Sequence, residues 1–220
     1  QLMAKFNIKN IVFSSSCTVY GQADVLPVTE QSPIKPATSP YGSTKQMSET
    51  ILQDAAFANK DLNAILLRYF NPIGAHPSAE IGELPNGIPN NLLPYITQTA
   101  AGIRKELSVF GNDYNTPDGS CIRDYINVVD LAKAHVIALN RMIEGHNKKN
   151  IEIFNLGTGE GVSVLEIIRT FEKATGVKVP YKIAPRRAGD IEKVWADTSY
   201  ANKELGWKAE TNLEDTLLSA

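Results

Sequence analysis

Runs of consecutive apolar residues alternate along this chain with stretches in which apolar residues recur every three or four positions. The runs predict buried parallel strands at 11–15, 64–70 and 151–156. The periodic stretches predict helices at 41–58, 91–103, 128–142 and 163–175. On the first helix we expect an apolar face formed by Met47, Ile51, Leu52, Ala55 and Ala56. Strands alternating with helices predict an α/β fold with a doubly wound parallel sheet.

Two stretches interrupt this alternation. Residues 71–90 are rich in Pro, Gly and Asn, and residues 179–195 are polar. Ligands of open α/β folds bind beyond the carboxyl ends of the strands, where such connections gather. We therefore expect a smaller substrate-binding lobe, mainly from 71–126 and 158–220, beside a sheet domain from 1–70 and 127–157.

Composition narrows the classes of partner. The chain has 220 residues, 43% hydrophobic and 21% charged, with a formal net charge of −2. This globular profile offers no electrostatic case for nucleic acid or an anionic membrane, and no apolar run reaches the roughly 20 residues of a membrane helix. Cys17 and Cys121 are too few for a disulfide framework and favour a reduced, cytoplasmic protein. We expect no metal site.

Both ends of the chain suggest a longer protein. It opens on Gln1, without a signal sequence, on what reads as the tail of a helix, and it stops inside the helical pattern that starts at Leu213. We therefore expect it to be a piece whose flanking segments lie outside the sequence.

Tyr41 and Lys45 are the first candidates for chemistry. They lie four residues apart, just after Pro40, at the predicted start of a helix. Residues at this spacing share a helix face, and a nearby cation lowers the pKa of a tyrosine. A tyrosine that can form phenolate is a suitable base for an alcohol proton. The spacing alone is common and by itself favours an exposed aromatic beside an exposed lysine, and only the residues around it favour a reactive pair.

A run of hydroxyl residues follows the first predicted strand, from Ser14 to Thr18. Because a hydroxyl both donates and accepts, Ser16 or Thr18 could relay a proton between a substrate alcohol and Tyr41. A serine-rich turn that merely ends the strand is the alternative.

The glycine run Gly157–Gly161 resembles a phosphate-binding loop but departs from it. The third glycine of that motif would stand at position 162, which is Val, and no acidic residue follows about 20 positions on. We interpret the run as a tight strand-to-helix turn.

Arg123, Arg186 and Arg187 are candidates for gripping phosphate, because a guanidinium matches phosphate oxygens. A surface ion pair between Arg123 and Asp124 is the alternative. Three arginines in two loops near one predicted cleft favour the phosphate interpretation.

Several motifs together resemble the UDP-glucose 4-epimerase family of the extended short-chain dehydrogenases/reductases. They recur in the family's order along the whole chain, at 14–21, 39–45, 67–77, 87–95, 109–114, 123–126 and 184–190. The run Arg-Tyr-Phe-Asn-Pro-x-Gly-Ala-His at 68–76 is the most specific, whereas Tyr-x-x-x-Lys belongs to the whole superfamily.

The resemblance implies a Rossmann-like fold, bound NAD, a UDP-hexose substrate and a homodimer. Tyr41 would take the proton of the sugar 4-hydroxyl while hydride passes from C4 to NAD, and the 4-keto sugar would then rotate before hydride returns. Lys45 would hold the nicotinamide ribose and keep Tyr41 acidic, and Ser16 would bind the 4-oxygen. The implied cofactor-binding residues are Ser14, Ser16, Tyr41, Lys45, Tyr69 and Phe70. The implied substrate-binding residues are Ser16, Thr18, Tyr41, Asn71, Asn90, Asn91, Leu92, Ser108, Val109, Phe110, Arg123, Tyr125, Arg187, Asp190 and Val194.

The chain departs from the family pattern at three places. The glycine-rich first turn and the ribose-binding acid would precede Gln1, and a last segment would follow Ala220, so we expect the chain alone to be inactive and to hold NAD weakly. Val194 stands where some members carry a bulky tyrosine. Members with a small residue there also accept N-acetylated sugars.

Two other functions remain open. A nucleotide-sugar 4,6-dehydratase or decarboxylase on the same scaffold needs an acid before Val19, and Ser16-Cys17-Thr18 contains none. A non-catalytic nucleotide-sugar binding module is the second alternative.

Overall fold

The structure is a computed structural model that describes residues 2–220. In chain order its elements are α1 (Leu2–Lys5), β1 (Asn10–Ser14), a 3₁₀ turn (Cys17–Tyr20), α2 (Pro40–Ala58), β2 (Asn63–Tyr69), β3 (Asn71–Ile73), α3 (Leu92–Ala100), β4 (Leu107–Phe110), β5 (Ile122–Arg123), β6 (Tyr125–Asn127), α4 (Val128–Ile143), β7 (Ile151–Leu156), β8 (Val162–Ser163), α5 (Val164–Thr175), β9 (Tyr181–Ala184), α6 (Ser199–Leu205) and α7 (Leu213–Leu218).

A parallel sheet in the order β1–β2–β7 carries the fold. Ser14 lies opposite Leu67, and Leu67 lies opposite Phe154, so the three strands end at the same edge. The three strands and four helices expected from the sequence are present, with bounds shifted by up to three residues. The α/β prediction with a parallel sheet is confirmed.

The helices start where side chains satisfy their first amide groups. Ser39 accepts a hydrogen bond from the Gly42 amide, with Pro40 as the first residue of α2. Asn127 caps α4 and Ser163 caps α5 in the same way. These caps supply acceptors for amides that have no partner inside the helix.

The two stretches that interrupt the pattern are not plain loops. β3 lies inside 71–90 and pairs with β6, and β9 lies inside 179–195 and pairs with β4, both in parallel. β5 pairs with β8 in antiparallel orientation. Polar and proline-rich composition concealed these short strands, which bring distant segments together beside the sheet.

Three hydrophobic clusters form the core. The sheet cluster comprises Ile65, Leu67, Ile126, Leu131, Ala134, Ala138, Met142, Phe154, Leu156, Ala201, Leu205 and Trp207. The second cluster comprises Ile73, Leu93, Ile96, Leu107, Val109, Tyr125, Ile167, Ile168, Phe171, Val179 and Leu217. The third cluster comprises Val19, Tyr20, Val28, Phe70, Val194 and Ala196. α6 and Trp207 thus pack on the sheet, although they follow residue 158.

The expected apolar face of α2 is not buried as a face. Met47 is 61% exposed and Ile51 65% exposed, whereas the buried residues of the helix are Gly42, Glu49 and Ala56. The sheet meets α2 on its polar side, at Lys45 and Glu49, which the hydrophobic pattern could not indicate. No helix within residues 2–220 combines the length and apolarity needed to cross a membrane.

The Asp130 side chain joins the start of α4 to the segment that precedes α7. Its Oδ2 accepts hydrogen bonds from the amides of Glu210 and Thr211, and Lys133 Nζ lies 3.1 Å from Oδ1. Burial acts to raise the pKa of this carboxyl, but the donors outweigh it and the pKa lies below its ordinary value. The carboxylate therefore stabilises the folded chain.

We expect Asp130→Asn to lower the melting temperature near pH 7, with a difference that shrinks as the pH falls. A depressed carboxyl pKa contributes stability above its unfolded value of about 3.9, and that stability is lost as the pH falls through the folded value. Circular dichroism melts between pH 3 and pH 7 measure this, with exposed Asp54→Asn as the control. A difference that stays constant with pH would contradict the assignment.

Candidate active site

The predicted pair Tyr41 and Lys45 meets the serine run at the end of β1. Lys45 Nζ donates to the Ser14 carbonyl oxygen at 2.7 Å and lies 5.4 Å from the centre of the Tyr41 ring. Ser16 lies at the start of the 3₁₀ turn, where its hydroxyl accepts from the Thr18 amide at 3.2 Å. The geometry places a phenol, an ammonium and a hydroxyl at the carboxyl edge of the sheet.

The pKa of Tyr41 does not shift in the direction expected from Lys45. It is raised, first because partial burial penalises the phenolate, and second because Tyr69 lies close by. The nearby Ser16 side chain acts to lower it. The prediction of an acidic tyrosine is therefore wrong for this chain as it stands. The Lys45 ammonium is held by the Ser14 carbonyl rather than by the phenol oxygen.

His135 on α4 fixes the side chain of Ser14. Its Nδ1 lies 2.9 Å from the Leu131 carbonyl oxygen, which can only accept, so Nδ1 is the protonated nitrogen. In the neutral imidazole, Nε2 then accepts from the Ser14 hydroxyl, at 2.9 Å. The His135 ring is tilted against Tyr69 at 6.2 Å between centroids. α4 thus holds the side chain of Ser14, the last residue of β1.

A buried polar network lies beside the serine run. The Ser15 hydroxyl donates to Glu49 Oε1 at 2.5 Å, and Arg68 donates to both oxygens of Glu49. Arg68 Nη1 also donates to the Tyr20 hydroxyl, which in turn donates to Asn155. This network joins β1, α2, β2 and β7 at one edge of the sheet.

A cavity of about 510 Å³ opens beside this edge. Its lining includes most of the predicted substrate-binding residues, namely Asn71, Asn90, Asn91, Leu92, Ser108, Phe110, Arg123, Tyr125, Arg187 and Asp190. These residues come from separate elements of the region beside the sheet. A mixed lining with two arginines is suited to a ligand that carries phosphate and a planar ring.

The three candidate arginines have different surroundings. Arg187 Nη2 lies 2.7 Å from Asp190 Oδ1, and its guanidinium carbon lies 5.5 Å from the centre of the Phe110 ring. Arg123 lines the cavity and donates to the Ile122 carbonyl at 2.8 Å. Arg186 is instead paired with Asp113 and stacked on Tyr114, outside the cavity lining.

Asp124 forms no surface ion pair with Arg123 but is fully buried. Its carboxylate accepts from the amide and hydroxyl of Thr158, at 2.8 and 2.7 Å, and from the amides of Gly159 and Ala196. Burial raises the pKa of this carboxyl, and these donors act against the rise. The glycine turn after β7 therefore surrounds a carboxylate of the chain itself, in agreement with a structural turn.

The family model described as GDP-mannose 4,6 dehydratase matches residues 1–219. The chain belongs to this family of extended short-chain dehydrogenases/reductases. It is 54% identical over 215 residues to the UDP-glucose 4-epimerase of Bacillus subtilis, an alignment that covers 98% of this chain. The UDP-glucose 4-epimerases of Dictyostelium discoideum and Bos taurus are 54% and 52% identical to it, over 97% of this chain.

Solved structures of this family show the same fold. The Bifidobacterium longum UDP-glucose 4-epimerase, in complex with NAD+ and UDP, has a TM-score of 0.93 and 52% identity over 99% of this chain. The Stenotrophomonas maltophila enzyme, with bound NAD and formylated UDP-arabinopyranose, has a TM-score of 0.94 and 51% identity. The chain spans 62% of the Bacillus subtilis relative and 64% and 63% of the two structures.

Other residues predicted for the site lie outside the cavity lining. Ser16, Thr18 and Tyr41 lie at the sheet edge, with Ser14, Lys45, Tyr69 and Phe70. Val109 and Val194 are buried in the second and third hydrophobic clusters and do not line this cavity, and Val194 lies in the cluster that contains Val19 of the 3₁₀ turn. Within the described residues, the Thr18 hydroxyl oxygen is buried without a hydrogen-bond partner. Such a group has unused capacity to bond a ligand.

Sequence reasoning missed Glu49, Arg68 and His135. Two of them left a signal. Glu49 repeats the four-residue spacing of Tyr41 and Lys45, and Arg68 is a charged residue inside an otherwise apolar strand. His135 has no such signal, because its role depends on α4 packing against β1.

We expect Gly157→Ala to destabilise the chain by about 1–3 kcal/mol, as added atoms do in packed sites. A Cβ there would lie 2.3 Å from Asp124 Oδ2 and 3.0 Å from the Ala196 side chain. Gly82→Ala is the control, since its Cβ would meet nothing closer than 3.9 Å. Chemical denaturation measures both variants. Equal stabilities would show that Asp124 does not constrain the turn.

Proposed function

We propose that the protein interconverts UDP-glucose and UDP-galactose by oxidation at C4 with NAD, rotation of the 4-keto sugar and reduction on its opposite face. The observation that carries this proposal is the meeting of Tyr41, Lys45 and Ser16 at the sheet edge, beside a cavity with two arginines. The epimerase names of its relatives support the choice of reaction.

The residues present fit the nicotinamide ribose end of NAD. Among the described residues, Lys45 Nζ has one hydrogen-bond acceptor, the Ser14 carbonyl, and an ammonium has three donors. The remaining donors suit two ribose hydroxyls. Tyr69 and Phe70 lie at the end of β2, which pairs with β1, and the Ser14 carbonyl that binds this ammonium is at the end of β1. When bound, NAD supplies the acceptor and donor of hydride at the sugar C4.

In the proposed mechanism, Tyr41 oxygen takes the proton of the 4-hydroxyl and returns it after the sugar has rotated. Ser16 donates to the same sugar oxygen and keeps it aligned. The positive charge of Lys45, 5.4 Å from the centre of the Tyr41 ring, would favour the phenolate against the burial that raises the pKa of Tyr41. These residues act on one oxygen atom, so a single geometry serves both directions of the reaction.

The nucleotide is proposed to lie in the cavity. Arg123 and Arg187 would bind the diphosphate, and Phe110 would contact the planar base. Asn71 and Asn91 would hold the hydroxyls of the sugar. Because Asp190 is paired with Arg187, a bound phosphate must share or replace this contact.

We expect Tyr41→Phe, in a protein of the length of its relatives, to lower kcat by about 10²–10⁴-fold, because it removes the proton acceptor and keeps the ring. A coupled assay for UDP-glucose formation measures the loss. Tyr181→Phe on the surface strand β9 is the control and should retain the parent rate. A Tyr41→Phe rate above one tenth of the parent rate, as an order-of-magnitude threshold, would refute the role.

A 4,6-dehydratase is the second candidate, because the matching family model carries that description. Dehydration needs an acid to protonate the leaving hydroxyl, and the segment Ser16-Cys17-Thr18 supplies none. Burial raises the pKa of Cys17 to about 12, so this thiol is a poor acid. These residues favour oxidation and return over elimination.

Val194 suggests that N-acetylated UDP-hexoses are also substrates. The proposal is that this residue borders the sugar 2-substituent and that a small side chain leaves room for an acetamido group. Val194 is 3% exposed and packs with Val19, Tyr20 and Phe70, next to the segment that carries Ser16. A larger side chain would press on this segment.

We expect Val194→Tyr to reduce kcat/KM for the acetylated pair more than for the plain hexoses. Filling a packed site typically costs about 1–3 kcal/mol, which is about 5-fold to 150-fold in rate. Steady-state kinetics on both pairs measure the ratio, with exposed Val136→Tyr as the control. Equal losses, or no activity of the parent on the acetylated pair, would exclude this specificity.

The same proposal includes a homodimer in the cytoplasm and a division into two lobes. The exposed apolar side chains of Met47, Ile51 and Phe57 on α2 offer a surface for a second copy. The free thiols Cys17 and Cys121 suit a reducing compartment. The separate hydrophobic clusters support a sheet domain and a substrate lobe.

A further inference from the structure

Three residues of α2, each one turn after the last, contact the three consecutive serines at the end of β1, Ser14, Ser15 and Ser16. Tyr41 interacts with Ser16, Lys45 with the Ser14 carbonyl, and Glu49 with the Ser15 hydroxyl. Residues four apart lie on one helix face, so a single face of α2 contacts all three serines. Tyr41 and Lys45 have roles in the proposed reaction, whereas Glu49 lies too deep, at 4% exposure, to meet a substrate.

Glu49 is held by an arginine of the neighbouring strand. Arg68 on β2 donates from Nε to Oε1 at 2.9 Å and from Nη2 to Oε2 at 2.6 Å. Arg68 is itself 3% exposed, and its third contact goes to the Tyr20 hydroxyl at 3.1 Å. The two-point contact defines both the distance and the orientation of the carboxylate.

Little else on α2 defines where this helix lies. Three of its apolar side chains, Met47, Ile51 and Phe57, are exposed. Leu52 and Ala55 are half-buried, and its other buried residues, Gly42 and Ala56, are small. Gln46 supplies two more hydrogen bonds, to the carbonyls of Val19 and Lys35, which belong to loops rather than to the sheet. Besides the single hydrogen bond from Lys45 to the Ser14 carbonyl, the two-point contact with Arg68 is therefore the strongest directional tie between α2 and the sheet.

We propose that Glu49 and Arg68 are positioning residues that set the height and rotation of α2 against β1, so that Tyr41 and Lys45 face Ser14 and Ser16. The meaning for catalysis rests on the proposed function, whereas the positioning of Tyr41 does not. Glu49 acts through Ser15, the central residue of the serine run. Arg68 acts through Glu49 from a strand whose register with β1 is set by the sheet.

A purely stabilising role is a poor explanation for this pair. Taking two charges out of water costs about as much as their attraction returns, and buried pairs can be replaced by apolar residues with little loss of stability. Their directional geometry is what apolar side chains cannot reproduce. An error of about 1 Å in the position of reacting groups can cost about 10²-fold in rate.

The test compares two double variants in a protein of the length of its relatives. Glu49→Met/Arg68→Met removes the positioning pair. Glu152→Met/Arg141→Met removes a second ion pair with the same two-point geometry. In this control pair, Arg141 Nε and Nη2 lie 2.7 and 3.0 Å from the two oxygens of Glu152. Glu152 lies near the start of β7, at the edge of the sheet opposite the serine run.

We expect the first double variant to lower kcat by about 10–100-fold, with KM for the UDP-sugar changed by less than about twofold. The control pair should leave both constants within about twofold. Equal losses of kcat in the two folded variants, or parent kcat in the first, would overturn the proposal.

A second measurement does not need epimerase activity. The pKa of Tyr41, followed by ¹³C NMR of its phenol carbon, should rise in Glu49→Met/Arg68→Met, because the Ser16 contact that lowers it is lost. It should not change in the control variant. An unchanged pKa in the first variant would overturn the positioning role. An inactive parent with the expected rise would overturn the proposed function alone.

If the first double variant fails to fold, the Ser15→Ala variant tests the positioning role instead. It removes the link between Glu49 and the serine run and keeps the ion pair. We expect it to fold, to lose several-fold in kcat with KM retained, and to raise the pKa of Tyr41. Parent values for both quantities would overturn the proposal.

Discussion

The parallel pairing of β1, β2 and β7 is the constraint from which the candidate site follows. Because the three strands run in one direction and in continuous register, the segments after Ser14, Tyr69 and Leu156 begin at the same edge. The serine run, the start of β3 and the glycine turn are thereby neighbours, although about 140 residues separate the first from the last. Apart from Arg186, Val109 and Val194, the candidate residues lie at this edge or line the cavity beside it.

Buried polar groups fix the positions of the side chains at that edge. Glu49, Arg68, Asp124 and Asn155 all have exposures of 4% or less. A polar or charged group in the interior must be hydrogen-bonded, and each bond requires a partner at a particular distance and angle. Apolar packing alone tolerates rotation and sliding of a helix, whereas these bonds do not. The region that must hold reacting groups in place is thus the region built from directional contacts.

The cavity depends on a different arrangement. Its residues come from short paired strands and from the connections between them, and the Asp124 carboxylate holds two of these segments together through the amides of Gly159 and Ala196. The Asp124 carbonyl also accepts from the Asn71 amide at 2.9 Å. Asp124 therefore links the end of the sheet with the segments beside the cavity. A ligand that spans both would contact segments whose relative positions are already set.

Local patterns were sufficient for the larger elements and for part of the site. Runs of apolar residues identified β1, β2 and β7, and helical periodicity identified α2 to α5, because burial on a sheet or helix leaves a periodic trace in the sequence. The four-residue spacing of Tyr41 and Lys45, and the hydroxyls after β1, indicated a site before any contact was known. Val162, in place of the third glycine of a phosphate-binding loop, indicated that the segment after Gly157 is a structural turn.

Other features were decided only by tertiary packing. Which face of α2 is covered depends on what lies against it, and the structure covers the face with Lys45 and Glu49 and exposes Met47 and Ile51. Strands of two or three residues, such as β5 and β8, have no sequence signature of their own. The burial of Val194 and the raised pKa of Tyr41 depend on neighbours far away in the chain. The residues determined which chemistry was available, and the packing determined where each side chain lies, because burial and hydrogen-bond partners are properties of the folded chain.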